Sequence, residues 1–409
     1  MGIEGLKITK TGISGINGYR FAGVSCGIKK SGSEDMAVIY SEVPAAAAGV
    51  FTTNKAKAAP VLVDLDNIKN PVTRAVVINS GNANACTGKK GMLNACEMVK
   101  LAADKLGIES REVLVSSTGI IGVQLPMDSI KKGIEKAASS LSADGGDAAA
   151  RGIMTTDTRE KKVLVKVGLG GAEVTVGAIA KGSGMIHPDM ATMLCYIITD
   201  AAVEKTILQW MLEETVQDTF NMISVDGDTS TNDTVIALAN GTAGNHRITG
   251  KNGDYHKLLK AFRAAAGAMA EEIIRDGEGA TKFLKVSVIN APSAQDARVG
   301  AKAIISSNLV KTAFFGEDAN WGRVLCALGY SGADFDPSKV DLSIKSPRGE
   351  IKLVETGEGL EFDENKASLI LGERDIEIMV DLRSGKNTAT AWGCDLSYDY
   401  VKINGSYRT

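Results

Sequence analysis

Histidine is scarce in this chain of 409 residues: only His187, His246 and His256 occur, and no two of them have helical or zinc-ligand spacing. That leaves a histidine-based metal site or a Ser-His-Asp triad poorly supplied, and no GxSxG elbow is present. There is no excess of positive charge, since 46 Lys and Arg face 49 Asp and Glu for a net charge near -3. Without a basic block or an aromatic-interleaved stripe, nucleic acid is excluded as a partner, and a small-molecule substrate is expected. No stretch approaches the roughly 20 apolar residues that span a bilayer, and residues 1–10 carry no targeting pattern, so the expectation is a cytoplasmic protein without membrane contact. The six cysteines (Cys26, Cys86, Cys96, Cys195, Cys326, Cys394) lack CxxC spacing and mostly sit among apolar or small residues, which predicts reduced, buried thiols.

What is present is an ordinary globular composition, 44% hydrophobic and 23% charged, long enough for two domains. Short strands are expected at 6–9, 19–27, 36–41 and 47–51, the last two separated at Pro44. A buried strand at 75–79 runs into a loop and then a helix at 92–106 that ends before Gly107. A further strand at 113–116 opens into Ser117, Thr118 and Gly119, and a helix follows Pro126. Residues 139–150, rich in Gly, Asp and Ala, suggest a surface loop or helix end. Segments 163–167 and 174–180 alternate about a glycine turn as a hairpin, and the second delivers Lys181. A buried strand at 193–198 precedes a helix at 203–220 with Val203, Ile207, Trp210 and Met211 on one face. A polar loop at 226–233, a strand at 234–239, helices at 255–275 and 295–306 and a strand at 283–289 follow, with short strands dominating after Val340. The fold class expected is a layered α/β sandwich of mixed or antiparallel sheets and helices.

Familiar signatures fail on inspection. Residues 168–173 have Glu173 where a dinucleotide loop needs its third glycine, and they lie in a hairpin. The acidic loop 226–233 has a misplaced glycine and Ala237 where a calcium loop needs its glutamate, so it reads as a polar turn, though three carboxylates this close could serve a site. No metal site is expected.

The informative passage is KGSGMIHPDMATML at 181–194, which sets a lysine, flexible glycines and a threonine before a buried strand. A threonine so placed can attack the preceding carbonyl, and the resulting ester is opened by water. The new amino terminus, with an ordinary pKa near 8, can then act as base for the hydroxyl beside it. Composition and spacing alone leave a plain glycine-rich loop as the commoner alternative.

This passage resembles the signature of the ornithine acetyltransferase family, the bifunctional glutamate N-acetyltransferases of arginine biosynthesis, and the resemblance covers nearly the whole chain. It is carried also by SGNANACTG (80–88), SSTGIIG (116–122), MTTDT (154–158), SVDGDTSTNDT (224–234), GEGATKF (277–283), FGEDANWGR (315–323) and CDLSYDYVKINGSYRT (394–409). Two departures are Asp189, where the family often has asparagine, and Ala319, where proline is common; neither is a carried-over functional position.

The resemblance implies a self-cleaving enzyme of the N-terminal-nucleophile type, cut between Ala191 and Thr192 into an α fragment (1–191) and a β fragment (192–409) that stay associated, with an α2β2 heterotetramer as the family's assembly. Thr192 is the implied nucleophile, taking acetyl from N-acetylornithine and passing it to glutamate without a cofactor. Thr118 and Gly119 match the family's oxyanion positions, and Thr155, Lys181, Thr192, Glu278, Asn404 and Thr409 its substrate contacts. The last residues are then implied to fold back over the pocket. Use of acetyl-CoA as a co-substrate, which separates bifunctional members from those limited to ornithine exchange, stays open because no CoA motif is recognisable. Two other readings are a related amidohydrolase or aminopeptidase with water as acceptor, and an uncleaved amino-acid sensor.

Overall fold

The computed structural model describes residues 5–187 and 193–406 and is built on two mixed sheets. The larger has nine strands. Its main path runs Leu6–Thr9, Lys161–Leu169, Ala172–Lys181, Leu194–Thr199, Thr234–Ala239, Met36–Phe51, Thr73–Asn82 and Val113–Ile120, with Tyr19–Val24 added beside the start of Met36–Phe51. Most neighbours are antiparallel, but Thr234–Ala239 runs parallel to Leu194–Thr199, and Val113–Ile120 parallel to Thr73–Asn82. Each parallel pair is separated in sequence by a helix, as a crossover requires. The second sheet has seven strands drawn from 223–394.

Helices Lys205–Gln217 and Gly253–Arg275 cover one face of the large sheet, where Phe262, Met269, Ile273 and Val176 share a core. A separate core around Val38, Val77 and Val115 lies under helices Gly88–Leu106 and Met127–Ser139. The second sheet packs its Val286, Val288 and Ile378 against Ala294–Ser306 and the helices that follow. Among the described residues no helix is long and apolar enough to cross a membrane.

Several local features differ from expectation. Pro44 does not end a strand: Met36–Phe51 is continuous, and its register against Thr73–Asn82 shifts between Tyr40 and Ala45, so the proline occupies an irregularity where no ladder amide is needed. Residues 139–150 are not merely a loop, because helix Gly146–Gly152 packs on the strand Tyr19–Val24. The glycines and alanines there allow backbone-to-backbone contact, and a Cβ on Gly23 would lie 1.8 Å from the Ala148 carbonyl oxygen. Trp210 is 43% exposed rather than packed inward, with the Lys251 ammonium over its ring. Only Cys195 and Cys394 are buried; Cys86, Cys96 and Cys326 are exposed and Cys26 is half-buried, because their helix and loop positions face outward despite small or apolar neighbours in sequence.

Lys181 pairs with Leu194 and Leu194 with Thr234, so strands from before 191 and after 192 are neighbours in one sheet. The two segments therefore share a core.

Candidate active site

Several separate elements converge on one cavity of about 210 Å³. The strand Val113–Ile120, longer than its sequence suggested, carries Thr118 and Gly119 to the cavity wall. Gly119 has φ +133°, and a Cβ there would sit 2.3 Å from the Gly81 carbonyl carbon, so the neighbouring strand approaches this closely only because residue 119 has no side chain. From the end of Ala172–Lys181 the buried Lys181 Nζ donates to Thr118 Oγ1 at 3.1 Å. Burial lowers the pKa of Lys181, with Asp157 pushing it back upward.

Thr155 reaches the cavity from the turn after helix Gly146–Gly152, and its amide donates to Asp157 Oδ2 at 2.9 Å. Asp157 Oδ1 accepts from the Gly182 amide at 2.7 Å and from Lys161 Nζ at 2.6 Å. Lys161, its side chain fully buried, also donates to Asp276 Oδ2 at 2.6 Å. Burial would raise the Asp157 carboxyl, but the Lys161 and Lys181 ammoniums prevail and hold it at about 2. This charged group ties together the three chain segments that bring Thr155, Lys181 and Glu278 to the cavity.

Glu278 follows helix Gly253–Arg275. Its amide donates to the Ser183 carbonyl at 2.8 Å, and a Cβ on Gly184 would lie 2.4 Å from its Oε2, so the carboxylate lies against the glycine. Asn404 on the exposed helix Tyr398–Ser406 donates to Glu278 Oε2 at 2.9 Å, and the Tyr400 hydroxyl donates to Asp226 Oδ2 at 3.2 Å. The last helix thus lies at the cavity rim.

Of the residues singled out from sequence, Thr118, Gly119, Thr155, Lys181, Glu278 and Asn404 line this cavity together. Ala191, Thr192 and Thr409 lie outside the described residues, as does Asp189. Met193, next to the implied cleavage point, is buried, and its carbonyl accepts from the Thr234 amide at 3.1 Å. A larger and more open groove of about 590 Å³ past Trp210 and Lys251 contains none of the singled-out residues.

Sequence reasoning missed Ser230 and Asn232, which also line the cavity. They belong to the acidic loop whose carboxylates drew attention. Of these, Asp226 accepts from the Met185 and Ile186 amides at 2.6 and 2.8 Å, while burial raises the pKa of Asp233 well above the ordinary carboxylate value. The polar residues between the carboxylates were the better signal. Chemically, the cavity offers an ammonium, a carboxylate, hydroxyls and an amide on a tight strand, which suits a small amino-acid derivative.

The ArgJ family model matches residues 20–409. The arginine biosynthesis bifunctional protein ArgJ of Caldanaerobacter subterraneus subsp. tengcongensis is 56% identical over 96% of this chain and 97% of its own length. The protein of the same name from Thermotoga neapolitana is 54% identical over 96% and 99%. The crystal structure of the arginine biosynthesis bifunctional protein from Bacillus halodurans, 45% identical, aligns with 52% of this chain and 98% of its own with a TM-score of 0.49. With its family match and these identities sustained over nearly its full length, the chain belongs to the ArgJ family, enzymes of arginine biosynthesis.

Proposed function

We propose that this enzyme transfers the acetyl group of N2-acetyl-L-ornithine to L-glutamate through an acetyl ester on Thr192, after scission of its own Ala191–Thr192 bond. The observation that carries the reading is the convergence of Thr118, Gly119, Thr155, Lys181, Glu278 and Asn404 on one cavity in a chain of this family.

In self-cleavage the Thr192 hydroxyl attacks the Ala191 carbonyl, the amide becomes an ester, and water releases residues 1–191. The freed α-amine of Thr192 then takes the hydroxyl proton as the oxygen attacks the acetyl carbonyl of the donor. The tetrahedral oxyanion is received by the Thr118 hydroxyl and the Gly119 amide. Thr118 Oγ1 already accepts from Lys181 Nζ, which leaves its own proton free to point at the oxyanion and strengthens it as a donor. Collapse expels ornithine as its amine takes a proton, and the amine of glutamate attacks the ester in the reverse sequence to leave as N-acetylglutamate. Glu278 pairs with the side-chain ammonium of ornithine, Lys181 and Thr155 hold the substrate's carboxylate and acetamide, and Asn404 and Thr409 close the rim. The acetyl group passes from one amino acid to the other with no cofactor. The working form is the associated fragments, assembled as α2β2 in the cytoplasm.

The test is ornithine release from N-acetylornithine by wild type and Thr192→Ala, with intact masses measured under denaturing conditions. The reading requires two fragments meeting at Ala191/Thr192, release that depends on glutamate, and an uncut, inactive variant. Equal release with and without glutamate would instead make water the acceptor and the enzyme an amidohydrolase.

A further inference from the structure

The acidic loop's contribution to the cavity is a carboxamide. Asn232 is 7% exposed, and its Nδ2 donates to the Ala83 carbonyl at 2.6 Å and to the Ser117 carbonyl at 2.8 Å. Its Oδ1 accepts from the Thr231 hydroxyl at 2.5 Å. Both amide hydrogens are therefore committed, and no donor is left for a substrate. The loop around it is itself fixed, since Thr52 Oγ1 donates to the Ser230 carbonyl at 2.7 Å and the Ala58 amide to the Thr231 carbonyl at 2.9 Å.

The two carbonyls it holds are well chosen by position. Ser117 C=O belongs to the peptide plane that also carries the Thr118 amide, so fixing it orients the backbone from which the Thr118 side chain and the Gly119 amide project. Ala83 lies just past the neighbouring strand Thr73–Asn82, whose pairing with Val113–Ile120 loses register between Gly81 and Asn82. Where the regular ladder breaks, a side chain from beyond residue 192 spans both strands.

We propose that Asn232 is a positioning residue for acetyl transfer: its carboxamide clamps the Ser117 and Ala83 carbonyls and so aims the Thr118 hydroxyl and Gly119 amide at the oxyanion. This rests on the function proposed above. It also makes the oxyanion strand of one fragment depend on a side chain of the other.

The experiment compares Asn232→Asp, Thr118→Val and the double variant, each as cleaved full-length enzyme, by kcat and by KM for N-acetylornithine and glutamate. Asp has the size of Asn but presents oxygen to both carbonyls. The clamp predicts a kcat lower by roughly 100-fold, the scale of losing one oxyanion donor, with both KM values nearly unchanged. It also predicts a double variant slower than Thr118→Val but by clearly less than the product of the two single losses, because the clamp acts through Thr118 as well as on the Gly119 amide. Losses that multiply, or an Asn232→Asp enzyme with wild-type kcat beside a slow Thr118→Val, overturn the clamp while leaving the acetyl-transfer reading intact. A Thr118→Val enzyme with wild-type kcat removes the oxyanion assignment and the clamp with it. If Asn232→Asp does not accumulate folded, Asn232→Ser, which removes the amide without adding charge, is held to the same outcomes.

Discussion

Replacing Lys161 by Met keeps the length and shape of a side chain with no exposed surface while deleting its charge. Lys161 Nζ lies 2.6 Å from Asp157 Oδ1 and 2.6 Å from Asp276 Oδ2. Without it two carboxylates face each other in a dry environment, and breaking such a buried pair costs about 3–5 kcal/mol. The pH dependence sharpens the expectation. In the wild type the Asp157 carboxyl, ordinarily 3.8, is held at about 2, so its stabilising effect is fully present above its unfolded value and is lost as pH falls through about 2. A depression of this size is worth on the order of 2 kcal/mol. In the variant the larger of the two opposing ammoniums is gone, and with only Lys181 and the Thr155 and Gly182 amides left against burial the folded carboxyl is expected to rise above its unfolded value. The variant is then weakest near neutrality and recovers as the pH falls and the carboxyl protonates. The stability gap between wild type and Lys161→Met is therefore widest near pH 7 and narrows toward pH 4. Urea and thermal midpoints, followed by circular dichroism, measure it. Protein concentrations must be matched, because an enzyme cleaved as proposed unfolds as associated fragments, with a concentration-dependent midpoint. A gap under about 1 kcal/mol at pH 7, far below the usual cost of breaking a buried pair, or one that does not change down to pH 4, would refute the reasoning.

Three further outcomes follow from the cavity. Glu278→Gln removes the carboxylate proposed to pair with the ornithine ammonium, an interaction worth about 1.5–3 kcal/mol; KM for N-acetylornithine should rise about 10- to 100-fold while that for glutamate stays put, and equal changes in both would contradict the assignment. Gly119→Ala forces a Cβ to within 2.3 Å of the Gly81 carbonyl carbon at a φ of +133°; kcat should fall about 100-fold or more, and activity within twofold of wild type would show that the close approach does not matter. Truncation before Asn404 removes the hydrogen bond to Glu278 and should slow turnover, whereas unchanged steady-state kinetics would mean that the last helix has no part in the site.

Much of the architecture was legible in local chemistry. The helix ending at Gly107, which has φ 65° in the cap, and the hairpin about Gly170 and Gly171 follow from glycine's access to positive φ. The apolar strand Thr234–Ala239 was marked out by its run of β-branched residues. Features decided by tertiary contact were not legible. Pro44 reads as a strand breaker until the irregularity that accommodates it is seen, and the small residues of Gly146–Gly152 resemble a loop until they are found against Tyr19–Val24. Helices Asn308–Phe315 and Trp321–Gly329 did carry readable caps, since Ser307 accepts from the Val310 amide and Asn320 from the Arg323 amide, but each is too short for periodicity to announce it. The site residues were recognisable only through family resemblance, since Lys181 or Glu278 alone looks like an ordinary loop residue. Asn232 escaped because its partners lie 149 and 115 residues away.

The most direct test of the central claim is the intact mass of enzyme quenched during turnover on N-acetylornithine without glutamate. The account predicts that the fragment beginning at Thr192 becomes heavier by one acetyl group, that adding glutamate removes the increment, and that peptide mapping places it on Thr192. Acetyl transfer to glutamate at full rate with no acetylated fragment at any quench time would contradict the covalent intermediate and the role given to Thr192.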